Sequence, residues 1–380
     1  MELNLTSIMK SLGCVGGALA LLITPTLAAQ QVLGRAVLET DGSPLQEALI
    51  VLLDDSGHAR ARTVTTPSGG FELHAPGAGR YRLRVQRIGQ RGWETPSFDL
   101  AADQISRPTF RVPDRPFELN ELSASARRPN CAVTLGDASQ GATLLEAAQT
   151  ALALAEAEME NGDRSYATQT YRRTVPVVGP PRDSVVVQGR LTGWPVQSAN
   201  PDSLRVTGFV QGEWPAPSVV TERPEVGPTY FAPDARVLFT DWFLGSHCIS
   251  VESESAGSGD GTGVVARFKP AKGTRKSAAL EGSLEFDRRT LALRLLSFKF
   301  AARPRWAPPE SAGGEIRFAR LPDGAWLPIQ WNMRVPVPAA TGNQRYRLFG
   351  VMEVGGRVTE VRGPDGQRDR QAEAALRISQ

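Results

Sequence analysis

The sequence predicts a mainly β protein: an N-terminal β-sandwich, then an α+β module with one long helix packed on a curved antiparallel sheet. Three observations carry this. Between Val32 and Gly89, short apolar or alternating runs are broken at each step by Gly, Pro, Asp or Ser clusters. One segment, Gly141 to Asn161, has apolar residues at helical spacing. From Ala167 to Val361 the strand signals resume. At 380 residues, 41% of them hydrophobic, the chain can bury more than one core.

The first element is not part of the fold. A short basic stretch ends at Lys10, an apolar run spans Leu12 to Leu27, and Ala28 and Ala29 offer small residues for cleavage. This is the layout of a secretory signal, so residues 1–28 are expected to be removed and the mature chain exported. Cys14 sits at the start of the apolar run, whereas a lipidation cysteine follows one. Cleavage leaves Cys131 and Cys248. In an oxidising compartment they read as one disulfide, worth about 3–5 kcal/mol in the chain-entropy picture. Two buried free thiols are the alternative.

The sandwich follows. Gly34, Ala36 and Leu38 alternate with Arg35, Val37 and Glu39, and Asp41-Gly42-Ser43-Pro44 ends the run. Leu49 to Leu53 is continuously apolar, as a strand covered on both sides should be. Asp54-Asp55-Ser56-Gly57 and Pro67-Ser68-Gly69-Gly70 are turns. Tyr81, Leu83 and Val85 alternate with Arg80, Arg82 and Arg84, which puts the apolar set inward.

The patterns Gly34-x-Ala36, Gly42-x-Pro44-Leu45, Ala48-x-Ile50-x-Leu52, Gly69-x-Phe71-x-Leu73 and Gly79-x-Tyr81-x-Leu83-x-Val85 resemble the carboxypeptidase regulatory-like domain, a transthyretin-type sandwich. Glu47 departs from it, standing where a glycine is common. So do Pro67, near a usual aspartate, and Gly89-Gln90, for a common Gly-Tyr. The resemblance implies a rigid non-catalytic spacer or binding module over residues 31–112 and no peptidase.

Residues 113–137 read as a linker rich in Pro, Arg, Asn and Ser. Within it Phe117 to Arg127 resembles the segment that follows such a sandwich in TonB-dependent receptors, although this chain is too short for the receptor barrel. Leu144, Leu145, Ala148, Leu152, Ala155 and Met159 then form the apolar stripe of the helix, with alanine opposite. Strands are expected at Val185–Val187, Leu204–Val210, Val237–Trp242, Val264–Phe268, Leu284–Phe286 and Leu291–Phe300. The adjacent Leu295 and Leu296 imply a bulge. Ile316 and Phe318 precede the turn Pro322-Asp323-Gly324. Leu327, Ile329, Trp331, Met333 and Val335 then share a face, and Arg345–Val351 and Arg357–Val361 finish the sheet. Residues 138–363 form this module, with 364–380 as a frayed tail. One helix before a run of antiparallel strands, with Leu284–Arg288 and Gly324-Ala325-Trp326, resembles the half-barrel of periplasmic lipoprotein carriers. Such a sheet either holds an apolar ligand in its concave face or closes over Trp331, Phe298 and the helix.

The chemistry-bearing residues are sparse. His58, His74 and His247 have no metal-ligand spacing and read as surface or strand-end residues. Asp260, in a Gly/Ser-rich loop, is one carboxylate where calcium takes about six to eight oxygens. Glu156 and Glu158 face different sides of the helix. The aromatic segment Pro228 to Asp234, with Trp242 and Phe243, reads as packing near Cys248. The run Lys269, Lys272, Arg275 and Lys276 reads as a solvated loop, and a net charge of +3 gives no field for nucleic acid. No catalytic residue, metal ligand or cofactor is assigned. The reading is a non-catalytic exported envelope protein, periplasmic or associated with the outer membrane, that binds a protein, carbohydrate or apolar ligand. Two alternatives stand beside it: a hydrolase with its site in the second module, and a partner of TonB receptors acting through residues 117–127.

Overall fold

The computed structural model describes residues 30–117, 124–126, 135–136, 138–161, 164–214, 227–253, 263–322, 324–341, 345–363 and 365–378. The expected export signal, Cys131, Asp260 and most of the 117–127 segment lie outside them.

The sandwich is built from β1 (Gln30–Leu38), β2 (Leu49–Asp54), β3 (Ala59–Val64), β4 (Gly70–Ala75), β5 (Gly79–Gln86), β6 (Trp93–Glu94), β7 (Phe98–Leu100), β8 (Ile105–Ser106) and β9 (Thr109–Val112). One sheet has the order β4-β1-β8 with β9 also on β1. The other runs β3-β2-β5-β6 with β7 also on β5. Alternation divides β2 between two cores. Ile50 and Leu52 join Val32, Ala36, Phe71, Leu73 and Leu83 inside the sandwich. Leu49, Val51 and Leu53 point the other way, into the core of the second module. The continuous apolar run is therefore covered on both faces, as expected.

Between the modules β10 (Ala124–Ala126) pairs with β11 (Leu135–Gly136). Then α1 (Ala138–Asn161) begins, three residues ahead of its expected start. Most of its side chains from Thr143 to Glu160 are buried, Leu144, Ala147, Ala155 and Ala157 among them, because it lies between the sandwich and the large sheet. Small alanines allow two sheets to approach one helix from opposite sides.

The large sheet comprises β12 (Ser165–Pro176), β13 (Arg182–Arg190), β16 (His247–Ser253), β17 (Gly263–Pro270), β18 (Leu280–Asp287), β19 (Leu293–Phe300), β20 (Gly313–Arg320), β21 (Trp326–Thr341) and β22 (Arg345–Arg362). Its order is β13-β12-β22-β21-β20-β19-β18-β17-β16, antiparallel throughout. The two expected C-terminal strands are one, β22. The bulge is present: Glu285 pairs with Leu295 and Phe286 with Leu293, leaving Arg294 extra. The inner face is closed. Phe298, Trp331, Leu284 and Phe268 share one buried core with Leu144, Ala148 and Leu152 of α1, and the gap left beside Phe243 and Phe268 is only about 10 Å³. Of the two readings of the concave face, the filled core holds.

The insertion between β13 and β16 differs from expectation. Leu204–Val210 is helix α2 (Pro201–Thr207), followed by β14 (Val210–Gln211). Asn200 Oδ1 accepts from the Asp202 N–H and Pro201 opens the helix, so local capping wins over β-branched content. β14 pairs with β15 (Thr229–Tyr230). Val237–Trp242 is not a strand but α3 (Ala235–Leu238) and α4 (Asp241–Ser246). Asp234 and Thr240 cap them by accepting from the Val237 and Phe243 N–H groups. The tail is also corrected: α5 (Arg370–Ile378) buries Ala372 and Leu376 in the main core.

Candidate functional site

A cleft opens where the sandwich meets the end of the large sheet that carries the β18–β19 and β20–β21 turns. Its volume is about 880 Å³. From the sandwich come Gln46 and Glu47, Val64, Thr65 and Pro67, and the turn Arg87 to Gln90. From the second module come Leu154 and Glu158 of α1, Arg164, and the strand ends around Asp287, Arg294, Arg317 and Arg320.

Six arginines line it (Arg87, Arg164, Arg289, Arg294, Arg317 and Arg320) against four carboxylates, Glu47, Glu158, Glu285 and Asp287. Several of these carboxylates are held. Glu47 forms an ion pair with Arg320, joining the modules. Glu158 accepts from Arg164 at 3.1 Å and from the Tyr166 hydroxyl at 2.6 Å. Burial pushes the Tyr166 hydroxyl far up, so it stays a donor. Burial alone would raise Asp287. Its bonds from the Thr290 N–H (2.8 Å), Thr290 Oγ1 (2.9 Å) and Arg289 N–H (3.0 Å) outweigh that and hold the carboxyl below its ordinary range. Arg87 and Arg289 make no ion pair among the described residues.

One wall is aromatic. Phe318 stacks on Trp326 with centroids 6.3 Å apart and planes 5° from parallel. The Trp326 indole N–H is buried and has no acceptor among the described residues. Gly89, at φ +80°, brings the 87–90 turn onto the β18–β19 turn so closely that a Cβ there would lie 2.8 Å from the Thr290 carbonyl oxygen.

Among its described lining residues the cleft has no histidine, cysteine or lysine, and Thr65 and Thr290 are its only hydroxyl-bearing side chains. Planar guanidinium groups instead suit two-point recognition of carboxylate or phosphate.

The residues singled out from sequence lie elsewhere. His58 and His74 are exposed and contact Asp54 and Glu72. His247 starts β16, but it is 1% exposed rather than a surface residue. Cys248 is buried beside it. Glu156 and Glu158 do face apart: Glu156 meets Arg62 at 3.1 Å. Tyr230, Ala232 and Phe243 are core, and Asp234 is fully buried with Ser198 and Arg236 on its carboxylate. The described residues contain no cluster of three or more His, Cys, Asp or Glu able to hold a metal. What sequence reasoning missed is the arginine set. Its signal was present in Arg294 and Arg317, polar positions alternating with core residues on strands adjacent in sequence.

Residues 31–113 match the family model described as the carboxypeptidase regulatory-like domain. No curated protein matches the chain. Among solved structures, a LolA superfamily protein from Nitrosomonas europaea is 14% identical, covering 56% of this chain and 93% of that one, with a TM-score of 0.23. A DUF3823 family protein from Bacteroides ovatus is 9% identical over 69% of this chain and 100% of that one, at 0.18. A 9R-lipoxygenase from Cyanothece is 12% identical, at 0.21. The alignment takes in 98% of this chain, which spans 46% of the lipoxygenase. The family match ends before the segment likened to TonB receptors. The N-terminal wall of the cleft, from Gln46 to Gln90, is thus part of a carboxypeptidase regulatory-like domain.

Proposed function

We propose that the chain is an exported, non-catalytic envelope protein that binds an anionic ligand in the cleft between its regulatory-like domain and its large sheet. The observation that carries this is the lining: six arginines and a stacked Phe318–Trp326 wall around about 880 Å³. Such a volume suits a small molecule with an apolar or sugar-like body. Arg87 and Arg289, without an ion-pair partner among the described residues, supply charge for its carboxylate or phosphate. A disulfide between Cys131 and Cys248 belongs to the same reading, since it would tie the linker to β16 in an oxidising compartment.

The test is thermal shift and calorimetric titration of the full chain against matched pairs of neutral and acidic sugars and lipid-like acids. Acidic members should stabilise the protein, and the double variant R289Q/R294Q should lose that response. Equal stabilisation by the neutral partner of each pair, or an unaltered response in the variant, overturns the ligand class. Peptide mapping without reductant tests the cysteine pair, and cell fractionation tests export.

A further inference from the structure

We propose a second interaction surface, at the opposite end of the large sheet, that docks on an anionic lipid bilayer. It is the corner made by the β12–β13 turn (residues 177–181) and the start of β22. Val177 and Val178 in the turn are exposed large hydrophobics, and Val185, Val186, Val187 and Val354 follow further along β13 and β22, where Val185 and Val354 both pair with Arg172 and Val187 with Thr170. Val178 is the most exposed of all, at 84%. Scattered apolar surface residues are ordinary, but two adjacent valines, 64% and 84% exposed, at a projecting turn are not.

Charge surrounds these valines. Arg182, Arg345 and Arg347 are exposed at the same tip, and Arg182 lies over the Phe349 ring at 5.8 Å. The one acidic residue beside them is Asp183, while Glu353 further along is taken by Arg173 at 2.7 Å. An apolar point ringed by arginines complements the headgroups and acyl boundary of a negatively charged membrane.

The backbone suits shallow insertion. The Val177 N–H already donates to the Phe349 carbonyl at 2.9 Å. Pro180 and Pro181 have no N–H, so only Val178 and Gly179 bring donors that headgroups or water must satisfy. The two prolines also bar ladder pairing at the turn itself. β21 runs from the cleft at Trp326 to the tip at Thr341. The valine turn meets β22 at Phe349, level with the Val337–Pro338 step of β21, so at about 3.3 Å per residue it lies about 40 Å along the strand from Trp326. A docked molecule therefore leaves its cleft open to solvent, and this inference stands whatever the cleft binds.

The experiment is hydrogen exchange of peptides covering 174–184, on the full chain, with vesicles of phosphatidylcholine alone or mixed with phosphatidylglycerol. Exchange at Val178 and Gly179 should slow at least about tenfold with the mixed vesicles only, and salt should reverse it. V177D/V178D should weaken vesicle binding at that site by tenfold or more. R182Q/R345Q/R347Q should weaken it by roughly a hundredfold, at about fivefold per charge. These positions are exposed, so unaltered circular dichroism will show that both variants fold. No protection with mixed vesicles, equal protection by neutral vesicles, or unaltered binding by the aspartate variant overturns the proposal. Protection that grows with protein concentration without lipid also overturns it, and assigns the corner to a second copy of the chain.

Discussion

Glu47 of the regulatory-like domain and Arg320 at the end of β20 form an ion pair across the cleft, and Glu47 holds that position in a left-handed backbone conformation, φ +56°. Its family resemblance gives that place to glycine. The substitution therefore exchanges backbone ease for a charge that reaches the other module. The left-handed region costs a side-chain-bearing residue about 1–2 kcal/mol. A part-exposed ion pair returns at most about 1 kcal/mol. Glu47→Gly should accordingly leave stability within about 1 kcal/mol of the parent. Glu47→Ala keeps the strained backbone and loses the pair, so it should lie about 1 kcal/mol below the glycine variant. Urea unfolding of the three proteins measures this; an alanine variant at least as stable as the glycine one removes the strain argument. Gly324→Ala should break the same pair from the other side, since its Cβ would come within 1.3 Å of Glu47 Oε1.

The glycines of the sandwich motif answer to two different constraints. Gly34 lies under the ring of Phe71, its cross-strand partner, and a Cβ there would meet the Phe71 ring at 2.2 Å. Gly69 has φ +77°, and a Cβ would lie 2.4 Å from the Ala36 carbonyl oxygen. Phe71 can shift, whereas the Ala36 carbonyl is backbone fixed by its strand. Gly34→Ala should cost about 1–3 kcal/mol, the range for overpacking. Gly69→Ala should cost more, because strain and clash add. Denaturation midpoints of the two variants give the order directly.

Because Leu49, Val51 and Leu53 bury themselves against α1, the two modules share one core. They should melt together. Calorimetry should give one transition, and Leu53→Ala should lower it by about 2–5 kcal/mol, as for other buried leucines. Tryptophan fluorescence can follow the second module, since Trp326 and Trp331 sit there. Its midpoint should move with the first. Two resolved transitions, with Leu53→Ala shifting one alone, would contradict the shared core.

What the sequence made legible was whatever repeats along the chain. Period-two alternation found β5 and most of β21, and helical periodicity found α1. Short elements set by single caps were misread. α3 and α4 are too brief for any period to show, and they exist because Asp234 and Thr240 each supply one side-chain acceptor three residues ahead. Apolar Val237, Leu238 and Phe239 then looked like strand. The cleft was invisible for another reason: its arginines come from segments as distant as Arg87 and Arg320, and only the packing of one module on the other brings them together.

His247 carries the pH prediction. Its Nε2 accepts from the Leu280 N–H at 3.2 Å, so the ring proton resides on Nδ1 and donates to the Phe243 carbonyl at 3.0 Å. The ring also stacks on Phe243 at 3.9 Å. Charging it would strip Leu280 of its acceptor inside the core. Burial outweighs the Phe243 bond and lowers the group from 6.5 to about 4. The folded value is depressed, so the stability linked to this histidine is complete above pH 6.5. It falls as the unfolded chain takes up a proton that the folded chain refuses, until the folded ring protonates near pH 4. The full loss is roughly 3 kcal/mol. His247→Gln removes the titration. Its unfolding free energy should start lower at pH 7 but decline less steeply between pH 6.5 and 4, by up to about one bound proton. Urea unfolding of both proteins across that window decides it, and parallel slopes would assign the acid sensitivity to other groups.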